Sequence, residues 1–184
     1  MKILITGATG LIGNKLTADL LSKGYSVNYL TTRKSKIKSS KQINGYYWDP
    51  EKDIIDLQCF KNVDTIINLA GSNIAKRWTN PNKLEILKSR TQSLILLRDS
   101  IVKNNLKIKK IISASAIGIY PSSYDRVYSE NNNLISNNFL GKVVNEWELA
   151  VSSFNDLKIE IAIVRIGLVL SKDGGILSKS LLPI

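Results

Sequence analysis

The chain has 184 residues, 43% of them hydrophobic, with one cysteine, no histidine and a formal net charge of +11. That length and apolar content suit one domain with a substantial core, and no apolar run is long enough to span a bilayer. The lone cysteine excludes an intramolecular disulfide framework, and the missing histidine excludes imidazole catalysis and His-ligated metal, so no metal is expected.

Met1 leads directly into an apolar strand, Lys2–Thr6, so neither a signal nor a transit peptide is expected and the localisation reads as cytoplasmic. The strand runs into Gly7, Gly10 and Gly13 and then into a helical pattern over Leu11–Lys23, with Leu16, Leu20 and Leu21 on one face and Gly24 at its end. Strand, glycine triplet and helix in that order make a dinucleotide-binding βαβ unit. The first glycine permits the turn, the second lets backbone approach a diphosphate, and the third allows close packing of the helix. The expected diphosphate contacts are the N–H groups around Gly10, Leu11 and Ile12, with Gly7, Thr9 and Gly13 shaping the turn.

Strand two is predicted at Tyr25–Thr31, followed by a basic, Ser-rich loop over Thr32–Asn44. Tyr46–Trp48 reads as strand three, Asp49-Pro50 as a turn, and Ile54–Phe60 as a short helix holding Cys59, a buried apolar group rather than a nucleophile. Asp64–Leu69 is strand four. A long helix over about Asn82–Asn104 carries Leu84, Leu87, Leu94 and Leu97. Lys110–Ser115 is strand five, Gly118–Ile135 a polar loop, Asn137–Phe154 a helix with Phe139, Val143, Trp147 and Ala150 as its buried stripe, and Ile159–Ile166 strand six. Alternating β and α with apolar strands gives an α/β fold, a Rossmann-type doubly wound parallel sheet with flanking helices. The domain covers 1–167. Residues 168–184 read as the start of a second lobe, and the stop at Pro183-Ile184 reads as a truncation.

The positive charge has two readings, an anionic polymer or lipid partner and a lysine-rich composition. The lysines are scattered, apart from Lys34, Lys36, Lys38 and Lys41, so composition is preferred and neither nucleic acid nor membrane is expected as a partner. For the cofactor, no acidic residue lies between Asp19 and Asp49, whereas a site for NAD places a carboxylate near the end of strand two. The strand runs instead into Arg33 and Lys34, which suit a 2′-phosphate, so NADP is expected over NAD.

Thr6-Gly7-Ala8-Thr9-Gly10-Leu11-Ile12-Gly13, Asn68-Leu69-Ala70-Gly71, Ser113-Ala114-Ser115-Ala116 and Arg165-Ile166-Gly167 resemble segments of the extended short-chain dehydrogenases/reductases. With Arg77-Trp78, Ser89-Arg90, Gly118, Tyr120, Trp147-Glu148 and Gly174-Gly175, the chain is similar to an atypical epimerase-like branch, often labelled nucleoside-diphosphate-sugar epimerase or cell-division-inhibitor-like. The resemblance implies Leu69, Ala70 and Gly71 beside the cofactor, Arg165 near the nicotinamide, and a further substrate lobe of roughly a hundred residues, a size ordinary for a domain. Ser72 stands where the resemblance implies an acid.

One departure concerns chemistry. Such enzymes place Tyr and Lys at i, i+4 on the helix after strand five, to move a proton as hydride moves. Here Phe139 and Val143 occupy those places, and none of the seven tyrosines has Lys four residues on. Ser115 and Tyr120 remain as catalytic candidates, with Glu146 and Glu148 as carboxylates on the helix and Lys142–Glu146 spaced for an exposed ion pair. Arg77 and Trp78 are candidates for a small-molecule substrate. The expected function is NADP-dependent redox or epimerase-type chemistry on a carbonyl or nucleotide-sugar-type substrate, with a silent NADP(H)-binding sensor or interaction module as the alternative.

Overall fold

The computed structural model describes residues 1–175. Strands β1 (Lys2–Thr6), β2 (Ser26–Thr31), β3 (Ile43–Asp49), β4 (Ile54–Ile55), β5 (Thr65–Asn68), β6 (Lys110–Ala116) and β7 (Glu160–Ile166) form one sheet in the order β4-β3-β2-β1-β5-β6-β7. Every pairing is parallel except β3 with β4, where Trp48 faces Ile55. The strand order reverses between β1 and β5, and that switch opens a crevice beyond the carboxyl ends of the strands.

Alternation along the strands divides the core. Ile3, Ile5, Val27, Tyr29 and Ile67 point to one face, against Leu16, Leu20 and Leu21 of helix α1 (Leu11–Ser22). Their sequence neighbours Leu4, Leu30 and Ile66, together with Ile111 of β6, point to the other face. There they meet Leu94, Leu97 and Ile101 of α2 (Asn80–Lys103) and Trp147 and Val151 of α3 (Phe139–Ser152). With both faces covered, near-continuous apolar strands are what the environment demands.

Helix starts are set by side chains that satisfy the first unpaired N–H groups. The Thr79 hydroxyl accepts from Asn82 N–H and starts α2 two residues before the predicted boundary. Asn138 accepts from Gly141 N–H at 2.8 Å and starts α3. One predicted element is corrected. Ile54–Phe60 is not a helix: Ile54–Ile55 turns back after Asp49-Pro50 to pair with β3, and Leu57–Phe60 makes a single 3-10 turn whose first N–H, from Gln58, is taken by Asp56. Residues 117–119 form a similar turn at the start of the predicted loop. Past residue 167 the hairpin β8 (Leu170–Ser171) and β9 (Gly174–Gly175) folds back so that Gly174 and Gly175 lie beside Leu11. The rest of the expected second lobe lies outside the described residues.

Candidate functional site

The glycine turn is held by backbone geometry. Gly7 has φ +69°, and a Cβ there would come within 2.6 Å of the Leu69 carbonyl. A Cβ on Gly13 would overlap the Gly7 carbonyl, so α1 can start this close to β1 only without a side chain at that position. Gly10 caps α1, and its N–H is already committed to the Gly7 carbonyl at 3.0 Å. Of the expected donors, Gly10 N–H is engaged with Gly7 here, while Leu11 and Ile12, in the first turn, keep the helix-end donors.

The facing wall is built by a buried polar chain across three strand ends. Thr6 Oγ1 donates to Asn68 Oδ1 at 2.7 Å and accepts from the N–H groups of Leu69 and Ala70, each at 3.1 Å. Asn68 Nδ2 donates to Ser113 Oγ at 3.0 Å. These bonds fix the 69–71 segment against the glycine turn. Between them lies a cleft of about 710 Å³ lined by Gly7, Thr9, Gly10, Arg33, Leu69, Ala70 and Gly71, among others. The backbone left open at Gly7 and Gly10 and the helix N-terminus fit an anionic bridge, and the cleft's size fits a dinucleotide.

Arg33 lines this cleft at the end of β2. Its backbone N–H is tied to Thr31 Oγ1 at 3.2 Å, while its guanidinium has no partner among the described residues. Lys34 sits elsewhere, with its ammonium 5.2 Å from the centre of the Tyr47 ring. The sequence reading missed Asp49 and Glu51, which β3 and its turn bring to the same cleft. Asp49 is engaged locally, pairing with Lys52 at 3.4 Å and accepting from Glu51 N–H.

A second polar group lies beyond β6. Ser115 is 2% exposed, and its hydroxyl donates to Glu148 Oε1 at 2.5 Å. Arg165 clasps the same carboxylate through Nε at 2.9 Å and Nη2 at 2.8 Å. Arg165 Nη1 donates to Tyr120 Oη at 2.6 Å, and Tyr120 donates to the Ser129 carbonyl at 3.0 Å. The guanidinium also lies over the Tyr120 ring, which stacks on Tyr128 with centroids 5.1 Å apart. Burial alone would raise the Glu148 pKa; the hydrogen bonds from Arg165 and Ser115 and the guanidinium charge outweigh it, and the carboxyl is held below its ordinary value. The same pairing raises Arg165 further above the ordinary arginine range. Tyr120 borders a cavity of about 600 Å³ with Gly118, Arg126, Tyr128, Asn138 and Leu140. The sequence pointed to Ser115, Tyr120 and Arg165 separately; the structure joins them through Glu148. Arg165 lies with this group and does not line the cleft beside the glycine turn.

Phe139 and Val143 carry no hydroxyl or ammonium, and neither do Leu140 and Val144, the i and i+4 positions in line with Glu148. Leu140 faces Gly118, where a Cβ would lie 3.7 Å from its own. Phe139 packs edge-on against Trp78 at 5.2 Å, and Trp78 Nε1 donates to the Ile74 carbonyl at 2.9 Å. Arg77 is exposed, its carbonyl accepting from Asn82 Nδ2 at 2.7 Å. Neither Arg77 nor Trp78 lines either cavity. Lys142 and Glu146 form no ion pair with each other. Among the described residues, no group of three or more Cys, Asp or Glu side chains is placed to hold a metal, and no helix is long and apolar enough to cross a membrane.

The chain is similar to an epimerase family protein of Staphylococcus aureus (strain NCTC 8325), 33% identical over 180 residues, covering 98% of this chain and 59% of the relative. An epimerase family protein of Staphylococcus saprophyticus is 34% identical over 183 residues with the same coverage. The chain thus spans about three-fifths of the length of these relatives. The crystal structure of a human epimerase family protein with NADPH superposes with a TM-score of 0.77 at 26% identity, covering 100% of this chain and 59% of that one. The nucleoside-diphosphate sugar epimerase of Corynebacterium glutamicum gives 0.78 at 26%, covering 98% and 36%. The fold is also that of UDP-glucuronic acid 4-epimerase from Bacillus cereus in complex with NAD, with a TM-score of 0.76 at 20% identity over 95% of this chain and 59% of that one. The family model described as NAD dependent epimerase/dehydratase matches residues 3–173, and the chain belongs to that family.

Proposed function

We propose that the cleft between the glycine turn and the 69–71 segment binds NADP(H), and that the chain supports epimerase- or reductase-type chemistry on a carbonyl or nucleotide-sugar-type substrate. The observation that carries this is the Arg33 guanidinium at the end of β2, without a partner among the described residues, beside a turn where Gly7 and Gly10 leave the backbone open to the cleft. Leu11 and Ile12 N–H would face the diphosphate, Arg33 the 2′-phosphate, and Leu69, Ala70 and Gly71 the ribose side. The cofactor, when bound, supplies hydride transfer. Tyr120, which lines the second cavity, is the candidate proton carrier: its hydroxyl donates to the Ser129 carbonyl and accepts from Arg165. Ser115 serves by keeping Glu148, and through it Arg165, in position.

The relatives' names support the class: the human epimerase family protein was crystallised with NADPH, and the Corynebacterium protein is called a nucleoside-diphosphate sugar epimerase. One test is Arg33→Asp, which should weaken NADPH binding at least tenfold while leaving NADH within about threefold, as loss of a charge-assisted bond implies. Equal losses for both coenzymes would contradict the role of Arg33. A second reading, an NADP(H)-holding module without turnover, is favoured by the apolar residues at 139, 140, 143 and 144. Incubation with NADPH and a panel of sugar nucleotides and carbonyl compounds separates the two: oxidation or epimer formation that Tyr120→Phe abolishes supports the enzyme, and stoichiometric binding with no turnover supports the module.

A further inference from the structure

The guanidinium of Arg90 is a partly withdrawn charge that none of the chemistry above uses. It reaches from α2 to the back of the cleft wall, where Nη1 donates to the Ile86 carbonyl at 2.9 Å and Nη2 to the Ser72 carbonyl at 3.3 Å. One side of it lies against the Trp147 ring, 5.1 Å from the centroid. No carboxylate among the described residues pairs with it. Burial accordingly disfavours its charged form and lowers its pKa. A guanidinium partly withdrawn from water, with two carbonyls and a ring but no anion among the described residues, lacks the partner that normally offsets its desolvation.

The missing anion has a place to come from. Gly71 is exposed, lines the cleft, and has no side chain to shield the guanidinium: a Cβ there would lie 3.0 Å from Arg90 Cζ, 3.1 Å from Nη2 and 3.3 Å from Nη1. The same segment abuts the diphosphate cradle, because Leu69 and Ala70 lie against Gly7. Ser72, whose carbonyl accepts from the guanidinium, and Ser89 line the cleft as well, and Ser72 N–H is fixed by Ser89 Oγ at 2.9 Å. An anion bridging the glycine turn would therefore meet a positive charge from behind the opposite wall.

We infer that Arg90 is an anion-binding residue of the cleft, supplying at the Gly71–Ser72 wall the positive charge that a dinucleotide's diphosphate requires. The inference rests on the proposed dinucleotide site and adds a determinant common to both coenzymes, in contrast to Arg33, which concerns the 2′-phosphate alone. The residue is retained at a cost to the unliganded protein and acts when the anion arrives.

The test is Arg90→Met, which keeps an unbranched stem against Trp147 and removes the charge. Affinities for NADPH and NADH are measured by titration over a range of salt concentrations, and the melting temperature is measured without ligand. The inference predicts that both affinities fall about tenfold to a hundredfold, that their salt dependence flattens, and that the ligand-free melting temperature is not lowered. Affinities within twofold of wild type overturn it. If Arg90→Met does not fold, Arg90→Gln decides, since its amide keeps a hydrogen-bond donor on the stem and drops the charge. A joint loss with flattened salt dependence supports the inference, and an unchanged affinity or a loss with unchanged salt dependence overturns it. Wild-type chain that binds neither coenzyme would refute the dinucleotide site itself, a different outcome from wild-type binding that Arg90→Met leaves intact.

Discussion

Replacing Arg165 by methionine isolates the energetics of the group beyond β6. Glu148 accepts three hydrogen bonds, one from Ser115 and two from Arg165 at 2.9 and 2.8 Å, and the side chains of Arg165 and Glu148 are only 21% and 14% exposed. Methionine removes two of those bonds and, among the described residues, the only cation on the carboxylate. Breaking a buried pair by removing one partner costs about 3–5 kcal/mol, and the remaining solvent access places this one near ~3 kcal/mol at pH 7. That is a large share of the roughly 5–15 kcal/mol stabilising an ordinary domain. The pH dependence carries a sign. In the wild type the Glu148 pKa is depressed, so its contribution is fully present above the ordinary glutamate value and is lost as pH falls through the depressed one. Without Arg165, burial pushes the same carboxyl upward, and it takes up a proton more readily in the folded state. The stability difference between the proteins should therefore shrink as pH falls from 7 to about 4, the ordinary carboxylate range. Urea unfolding followed by tryptophan fluorescence at several pH values reads this directly, and Glu148→Gln with the double variant completes a coupling cycle. A loss below about 0.5 kcal/mol, the level of an exposed pair, or a difference that does not change with pH would refute the reasoning.

Gly13→Ala should destabilise the fold by about 1–3 kcal/mol, the cost of overpacking, because its Cβ meets the Gly7 carbonyl, a backbone atom that cannot step aside. A melting temperature within a degree of wild type would contradict that contact. Cys59 is fully buried, and burial, with the Asp56 charge adding to it, pushes its thiol pKa up. A thiol reagent should therefore modify it only as fast as the chain unfolds, and rapid labelling under native conditions would contradict its placement.

The strands and helices were legible because a parallel sheet covered on both faces writes itself as apolar runs separated by amphipathic stretches. The glycine turn was legible because its geometry is local: three glycines within seven residues each answer a steric demand. Strand β4 was not, because two isoleucines become a strand only when Trp48 and Asp49 are beside them. The Glu148 group was hidden for the same reason, its members lying 33 and 17 residues apart in sequence. Two signals were present nonetheless. Glu148 falls between Val144 and Val151, both on the buried face of α3, and Arg165 interrupts an apolar strand; a buried carboxylate and a strand cation each call for a partner. The cofactor argument weighed only strand two, so the carboxylates that β3 delivers to the cleft went unseen.

Calorimetric titration of the chain with NADPH and with NADH tests the central claim most directly. The cleft between Gly7 and Gly71, with Arg33 at its rim, predicts saturable one-to-one binding of NADPH and weaker binding of NADH. Absence of binding by both coenzymes to folded protein would contradict it.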